Sequence, residues 1–375
     1  MSAQAQEDTL PDRAEQGDDR IRTSLLPTAL LLTQASAALA STTWYVNGVN
    51  GSDSHNCRSS QTACKTIGHA VSLTASGDSI VIASATYAEN ITIASSLNLI
   101  GSSASTTIID GGRVMVSTVG SVVSISNVTI RNGGAESGGG VYNRAILTIN
   151  NSTVSGNRVF HTGGGIANFG TLTLNNSTVS GNIAECEIFL CNGGGAGGGI
   201  YNGVGGTLAI NSSTITGNTA RSRFPTAGGG ILNDGILTIS NSTVSRNTAH
   251  IGGGIYGVAT LQNSILANNV VNFGSGNCSG SVSSIFSLSS DNTCDLDGPG
   301  DLDNTDPKLG TLGYYGGPTQ TIPLLSGSRA IDAGNPSGCT DQKGHLLKTD
   351  QRGLPRPDKE DKGGCDMGAY ESQRD

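Results

Sequence analysis

Between residues 123 and 269, apolar and polar positions alternate in short runs that return at a steady interval. Thr171-Leu172-Thr173-Leu174 is one such run, and Leu147-Thr148-Ile149, Leu208-Ala209-Ile210 and Leu237-Thr238-Ile239 repeat it. Aligned on the last apolar residue of each phrase, the series is Ile130, Val154, Val179, Ile215, Val244 and Leu266, with gaps of 24, 25, 36, 29 and 22. Five residues earlier stands an apolar partner each time: Ile125, Ile149, Leu174, Ile210, Ile239 and Leu261. A further column, Val141, Ile166, Ile200, Ile231 and Ile255, follows directly on triple glycines. Period-two alternation rich in β-branched residues marks half-buried strands. A unit this short cannot bury its own apolar face, so units must stack. The pattern predicts an all-β, single-stranded right-handed parallel β-helix with three short strands per coil of about 24 residues. Each coil adds one strand spacing, ~4.8 Å.

The polar positions fall in columns too. Asn157, Asn182, Asn218, Asn247 and Asn269 form one; Asn143, Asn168, Asn202 and Asn233 form another, ending at Gly257. These asparagines are expected to tolerate left-handed corners and to hydrogen-bond the same residue one coil away. The Asn-x-Ser/Thr sites at Asn151, Asn176, Asn211 and Asn241 match a glycosylation acceptor, but the repeat itself accounts for them. Ahead of the coils, KTIGHAVSLTA (65–75) predicts an N-terminal cap helix with Ile67, Ala70, Val71 and Leu73 as its apolar positions. Such a helix would cover the open sheet edge of the first coil.

Composition narrows the class. Charged residues make up 13% of 375 residues, about half the usual share. With 35% hydrophobic residues the chain is not disordered, and a net charge of −8 argues against a nucleic-acid partner. Arg20-Ile21-Arg22, the apolar run Leu25 to Ala40 and Ala38-Leu39-Ala40 read as a signal peptide. The apolar run is too short for a membrane span. The expected organisation is a leader over 1–40 and one β-helix domain over 41–375, with a cap at 41–76, coils at 77–276 and a disulfide-linked end at 277–375. A secreted or cell-surface monomer without a transmembrane segment follows. Export makes the eight cysteines disulfides, expected in sequential pairs: Cys57–Cys64, Cys186–Cys191, Cys278–Cys294 and Cys339–Cys365.

Specific motifs add a resemblance. The stretch from Trp44-Tyr45-Val46-Asn47-Gly48 through Gly77-Asp78-Ser79-Ile80 to Thr107-Ile108-Ile109-Asp110-Gly111-Gly112 resembles the start of pectate-lyase-like right-handed β-helix proteins. The GGGIxN…SxVSGN units resemble repeats of polymorphic outer-membrane proteins. The tail, with Asn304-Thr305-Asp306-Pro307, Arg329-Ala330-Ile331-Asp332-Ala333-Gly334, Asp350-Gln351-Arg352-Gly353 and Cys365-Asp366-Met367-Gly368-Ala369-Tyr370-Glu371, resembles the "choice-of-anchor Q" class. Together these cover roughly residues 43–372. The resemblance implies export and no established reaction. It also implies a sorting segment after the Gly-Ala-Tyr-Glu element; this sequence stops at Asp375, so release or non-covalent surface attachment is expected.

Chemistry is sparse along the coils. Glycosidases need two carboxylates at a set separation, yet between residues 112 and 276 the acids are Glu136, Glu185, Glu187 and Asp234. Asp234 lies in an Asn-Asp-Gly turn sequence. The large insertions all fall before a triple glycine, at Arg158–Thr162, Ile183–Ala196, Thr219–Ala227 and Thr248–Ile251. Stacking would align them as one lip carrying Arg158, Phe160, His161, Glu185, Glu187, Phe189, Arg221, Arg223, Phe224 and His250. Loops on one face of a solenoid are often its binding face, and aromatics with Arg and Glu suit sugar stacking and carboxylate pairing. A second candidate is DNTCDLDGPGDLDNTD (291–306), where Asp295, Asp297, Asp301 and Asp303 have the chemistry for Ca²⁺. Their spacing is not that of an EF-hand, and solvated turns are the simpler reading. Asp332, Asp350, Asp366 and Glu371 read as turn and capping residues. The expected function is a non-enzymatic binder of polysaccharide or a cell-surface component through the lip, needing no cofactor. The alternatives are a lyase or hydrolase of acidic polysaccharide, with Arg221 or Arg223 as base assisted by Glu185 and Glu187, and a structural spacer.

Overall fold

The apolar columns become ladders. Ile149 pairs with Leu174, Leu174 with Ile210 and Ile210 with Ile239, every step parallel and in register, and all four are buried. The computed structural model describes residues 41–186, 197–222, 224–272, 276–341, 344–358 and 364–373. Within Ser41–Asp375, one unit, the strands join four parallel sheets of ten, nine, eight and six strands. The ten-stranded sheet runs from Thr43–Val46 to Val282–Ile285. From Val122 on, each chain turn visits the ten-, nine-, six- and eight-stranded sheets in that order, while the earlier turns omit the six-stranded one, and the inward aliphatic residues fill the space between them.

The six-stranded sheet is an addition to the expected three strands per coil. It begins at Gly134–Ser137 and includes Arg158–Thr162, Ile183–Cys186, Thr219–Ser222, Thr248–Ala249 and Val270–Val271. Four of the six, those starting at Arg158, Ile183, Thr219 and Thr248, fall in the segments that the repeat alignment treats as insertions. Their alternation lasts only two to five residues, too short to register as a period. Val159, Ala184, Ala220 and Ala249 nonetheless form its buried inner column.

Corners explain the glycines and asparagines differently. At Gly164 an added Cβ would come within 2.2 Å of the Gly198 carbonyl oxygen, so a triple glycine is needed where successive coils nearly touch. The left-handed corners are at Asn127, Asn151, Asn176, Ser212, Asn241 and Asn263, not at the two expected asparagine columns. Those columns are buried ladders instead. Asn157 donates to Asn182, Asn182 to Asn218 and Asn218 to Asn247, each amide bond 2.9 Å long. Asn143, Asn168, Asn202 and Asn233 are linked at 2.6–2.7 Å. Serines make a third ladder: the backbone N–H of Ser152 donates to Ser177 Oγ, that of Ser177 to Ser213, and that of Ser213 to Ser242. Buried polar groups must be paired, and here each coil supplies the partners for the one before it.

The ends are closed by different devices. The helix Ile67–Leu73 buries Ile67 and Ala70 against the first strands. Thr66 caps it, and both carboxylate oxygens of Glu89 accept from the Ile67 and Gly68 N–H groups at 2.8 and 2.7 Å. The tail folds back along the nine-stranded sheet. Gln351 bonds Thr178 and Thr214, and the Ala369 N–H reaches Thr243 Oγ1. Leu324, Ala330 and Met367 form a second small core with Ile265, Ala267 and Leu288. Asp350 and Asp366 do cap turns, as expected, but they are also buried: Asp350 pairs with Arg352, and Glu371 with Arg356 at 2.6 Å, both side chains inaccessible. The disulfides Cys57–Cys64, Cys278–Cys294 and Cys339–Cys365 are present. Cys186–Cys191 lies outside the described residues. Among those residues no helix is long and apolar enough to cross a membrane.

Candidate functional site

Because the lip is a sheet, its outward side chains sit one strand apart at fixed heights. Glu185 stands in register with Arg221, and Arg158 lies on the strand on the other side. Glu185 is buried and held from both flanks: Arg158 Nη2 bonds Oε2, and Arg221 Nε bonds Oε1 at 3.0 Å. The two arginine side chains remain 52% and 49% exposed. At this point two guanidinium groups flank one carboxylate, and among the described residues Glu136 adds a second, exposed carboxylate on the first strand of the same sheet. Phe160 and Phe224 are exposed beside them, at 61% and 41%. His161 is half-buried at the end of the same strand as Phe160.

His250 is tied into the lip's rear. Its Nδ1 accepts from the Thr226 N–H at 3.2 Å, its own N–H donates to Thr226 Oγ1, and Thr226 Oγ1 lies 2.8 Å from the Ala220 carbonyl. Glu187, Phe189 and Arg223 lie outside the described residues. The expected lip is therefore assembled in its core, Arg158–Glu185–Arg221 with Phe160 and Phe224. Sequence spacing places these residues on one edge; the salt-bridged burial of Glu185 has no sequence signal beyond its charge.

Glu185 itself is poorly placed to act as a base. A general base needs a free lone pair within reach of substrate. Both oxygens of Glu185 are committed to guanidinium groups, and a guanidinium has donors only.

The Asp-rich segment does not gather into a cage. Asp301 spends both oxygens on Ser284, Ser287 and Gly298, bracing the turn. Asp295 and Asp297 are exposed. Burial pushes the Asp303 carboxyl above its ordinary value, and the charges of Asp291 and Asp295 add to the rise. Among the described residues, the convergent group of metal-ligand types is Cys57, Cys64 and His69. Its two sulfurs are joined to each other, which removes the thiolates a metal would need.

A cleft of about 460 Å³ opens where the tail meets the corner before the lip. Gly181 and Gly217 line it, and Thr311 and Leu312 face them with Arg246. Arg246 is occupied by the Leu309 and Gly310 carbonyls, so it fastens the tail.

Residues 49–299 match the family described as "Protein of unknown function (DUF1565)". No curated protein matches the chain. Among solved structures, the pectate lyase Pel9A aligns over 88% of this chain and 96% of its own, at 14% identity and a TM-score of 0.50. A pectin methylesterase mutant in complex with a hexasaccharide aligns over 82% and 93%, at 13% identity and a TM-score of 0.31. Pectin methylesterase PemA from Erwinia chrysanthemi aligns over 63% and 80%, at 14% identity and a TM-score of 0.25. The first of these shows a shared parallel β-helix fold.

Proposed function

The chain belongs to the DUF1565 family, whose description assigns no activity, and from the geometry of the lip we propose that it is an extracellular protein that binds acidic polysaccharide without cleaving it. The observation that carries this is Glu185 held between Arg158 and Arg221. The buried carboxylate fixes both guanidinium groups in place and leaves their outer edges in solvent, with Phe160 and Phe224 alongside. Fixed arginine forks suit the planar carboxylates of uronic acids, and flanking rings suit their C–H faces. The three disulfides support an oxidising, extracellular setting. Fold likeness does not carry an activity over, but the pectate of the solved neighbour makes polygalacturonate the first polymer to test.

The experiment measures retention of the full chain on immobilised polygalacturonate, with unsaturated-sugar absorbance and new reducing ends followed in parallel, in calcium and in chelator. Retention that weakens with salt, falls about tenfold in Phe160→Ala and in Arg158→Ala/Glu185→Ala/Arg221→Ala, and yields no product is the expected result. Product formation would replace this reading with the lyase or hydrolase one. Absence of retention would leave a structural spacer.

A further inference from the structure

On the corner between the eight- and ten-stranded sheets, away from the lip, the chain builds a stripe of rings. Tyr142 and Tyr201 occupy the same register position two strands apart, and the strand between them carries the small Ala167. Phe169, two residues further on, fills that gap. Its ring lies 5.4 Å from Tyr142 and 5.6 Å from Tyr201, centroid to centroid. The ring rests on bare backbone: a Cβ at Gly203 would come within 2.7 Å of it. Leu232, which is buried, and then Tyr256 continue the same column, and Tyr256 is 37% exposed. From Tyr142 to Tyr256 the stripe spans four strand steps, roughly 19 Å.

Its margins are apolar as well. Val204, Ile236 and Val258 are 81%, 64% and 64% exposed on the adjoining turns and strand start. Exposed apolar groups in one contiguous strip mark an interaction surface. The polar groups within it are few and placed. Tyr201 donates its hydroxyl to Asp234 at 3.0 Å, and the Arg113 guanidinium lies 5.5 Å over the Tyr142 ring. Arg144 is exposed beside that first ring. Burial, reinforced by Asp234, pushes the Tyr201 phenol up to about 12, so it stays a donor at neutral pH.

We propose that this stripe is a second, separate glycan platform, which binds an extended uncharged polysaccharide laid along the solenoid axis. Pyranose rings with equatorial substituents have C–H faces that stack on aromatic rings. One coil rises ~4.8 Å, close to the length of one such sugar in an extended chain, so successive sugars meet Tyr142, Phe169 and Tyr201 on successive coils, with the rings tilted by 41° and 76° to one another. The Tyr201–Asp234 pair is placed to bond hydroxyl groups, while Arg113 is held by the Ser137 carbonyl. A polyanion fits poorly, because its carboxylates would be desolvated against Val204, Ile236 and Val258. The platform does not depend on the lip.

Affinity electrophoresis of the full chain in gels containing hydroxyethyl cellulose, arabinoxylan or polygalacturonate tests this. The wild type should be retarded by at least one of the two neutral polymers. Retardation should weaken at least tenfold in Phe169→Ala/Tyr201→Ala, and also in Val204→Glu/Val258→Glu, which alters exposed turn residues alone. Phe160→Ala should leave neutral-polymer retardation unchanged and weaken only that by polygalacturonate. Free mobility of the wild type in both neutral gels would overturn the proposal, as would equal retardation of the stripe variants. A dimer in sedimentation that Phe169→Ala/Tyr201→Ala abolishes would overturn it too, by assigning the stripe to contact between copies.

Discussion

Asn218 shows how much one residue carries in this protein. Its side-chain oxygen accepts from both the backbone and the amide of Asn182, and its own amide donates to Val179 and Asn247. Replacement by alanine orphans several buried groups at once, each worth about 1–3 kcal/mol. Asn218→Ala should therefore lose on the order of 3 kcal/mol or more in urea denaturation; a loss below ~1 kcal/mol would mean that water enters the column and replaces the ladder. Gly164 sets the opposite limit, since any side chain meets the Gly198 carbonyl. Gly164→Ala should fail to yield soluble folded protein, whereas a normally folded product would show that the coils can separate. Residue identity was readable in the sequence at both places. The role of the ladder asparagines was only half readable, because hydrogen bonding and left-handed corners draw on the same residue type, and only backbone angles separate them.

At the scale of elements, the two ends are the parts that can be removed separately. Glu89 fills the helix N-terminus with both oxygens, and a lost cap costs about 1–2 kcal/mol. Glu89→Ala should expose residues 43–75 to limited proteolysis while the coils resist; an unchanged digestion pattern would assign the closure to the Cys57–Cys64 bridge instead. The tail is tied by Cys339–Cys365, a separation of 26 residues. Loss of that bridge should cost about 2–4 kcal/mol, read as earlier cleavage of residues 305–373 from an intact solenoid. The cap helix was visible from four apolar positions at helical spacing. The docking of the tail was not, since Gln320, Thr319 and Gln351 have no periodicity and meet Thr178, Asn176 and Thr214 across 142, 143 and 137 residues of chain.

For the whole molecule, acids of opposite tendency set the pH response. Burial acts to raise the Asp53 and Asp78 carboxyls, but hydrogen bonds from Thr66 and Lys65, and from Trp44, Thr42 and Ala75, outweigh it and hold both below the ordinary value. Hydrogen bonds from Asn132 and Arg131 lower Asp110. Stability from these groups is present above the ordinary aspartate value of 3.8 and is lost as pH falls through their folded values. Glu371 works the other way: burial, with Asp366 adding and Arg356 opposing, pushes it from 4.5 up to about 8. Its contribution is present below 4.5 and declines as pH rises toward 8. Melting temperature should therefore peak on the acid side of neutrality, and Glu371→Gln should flatten the decline above pH 4.5. The same slope in that variant would refute the assignment to Glu371.

The sequence by itself determined the coil. Alternation, triple glycine and the spacing of apolar columns allow one way to bury aliphatic residues along the repeats, namely stacking them as parallel strands. It also determined which segments share an edge, because insertions at one point of a repeat must align when repeats stack. Only the tertiary structure decided what those segments become. The fourth sheet, the clamp of Arg158 and Arg221 on Glu185, the left-handed corners and the ring of Phe169 seated on Gly203 all depend on contacts between coils 22 to 36 residues apart. A pattern within one coil records which face is buried; which side chain of the next coil lies across from it is set when the coils close on one another.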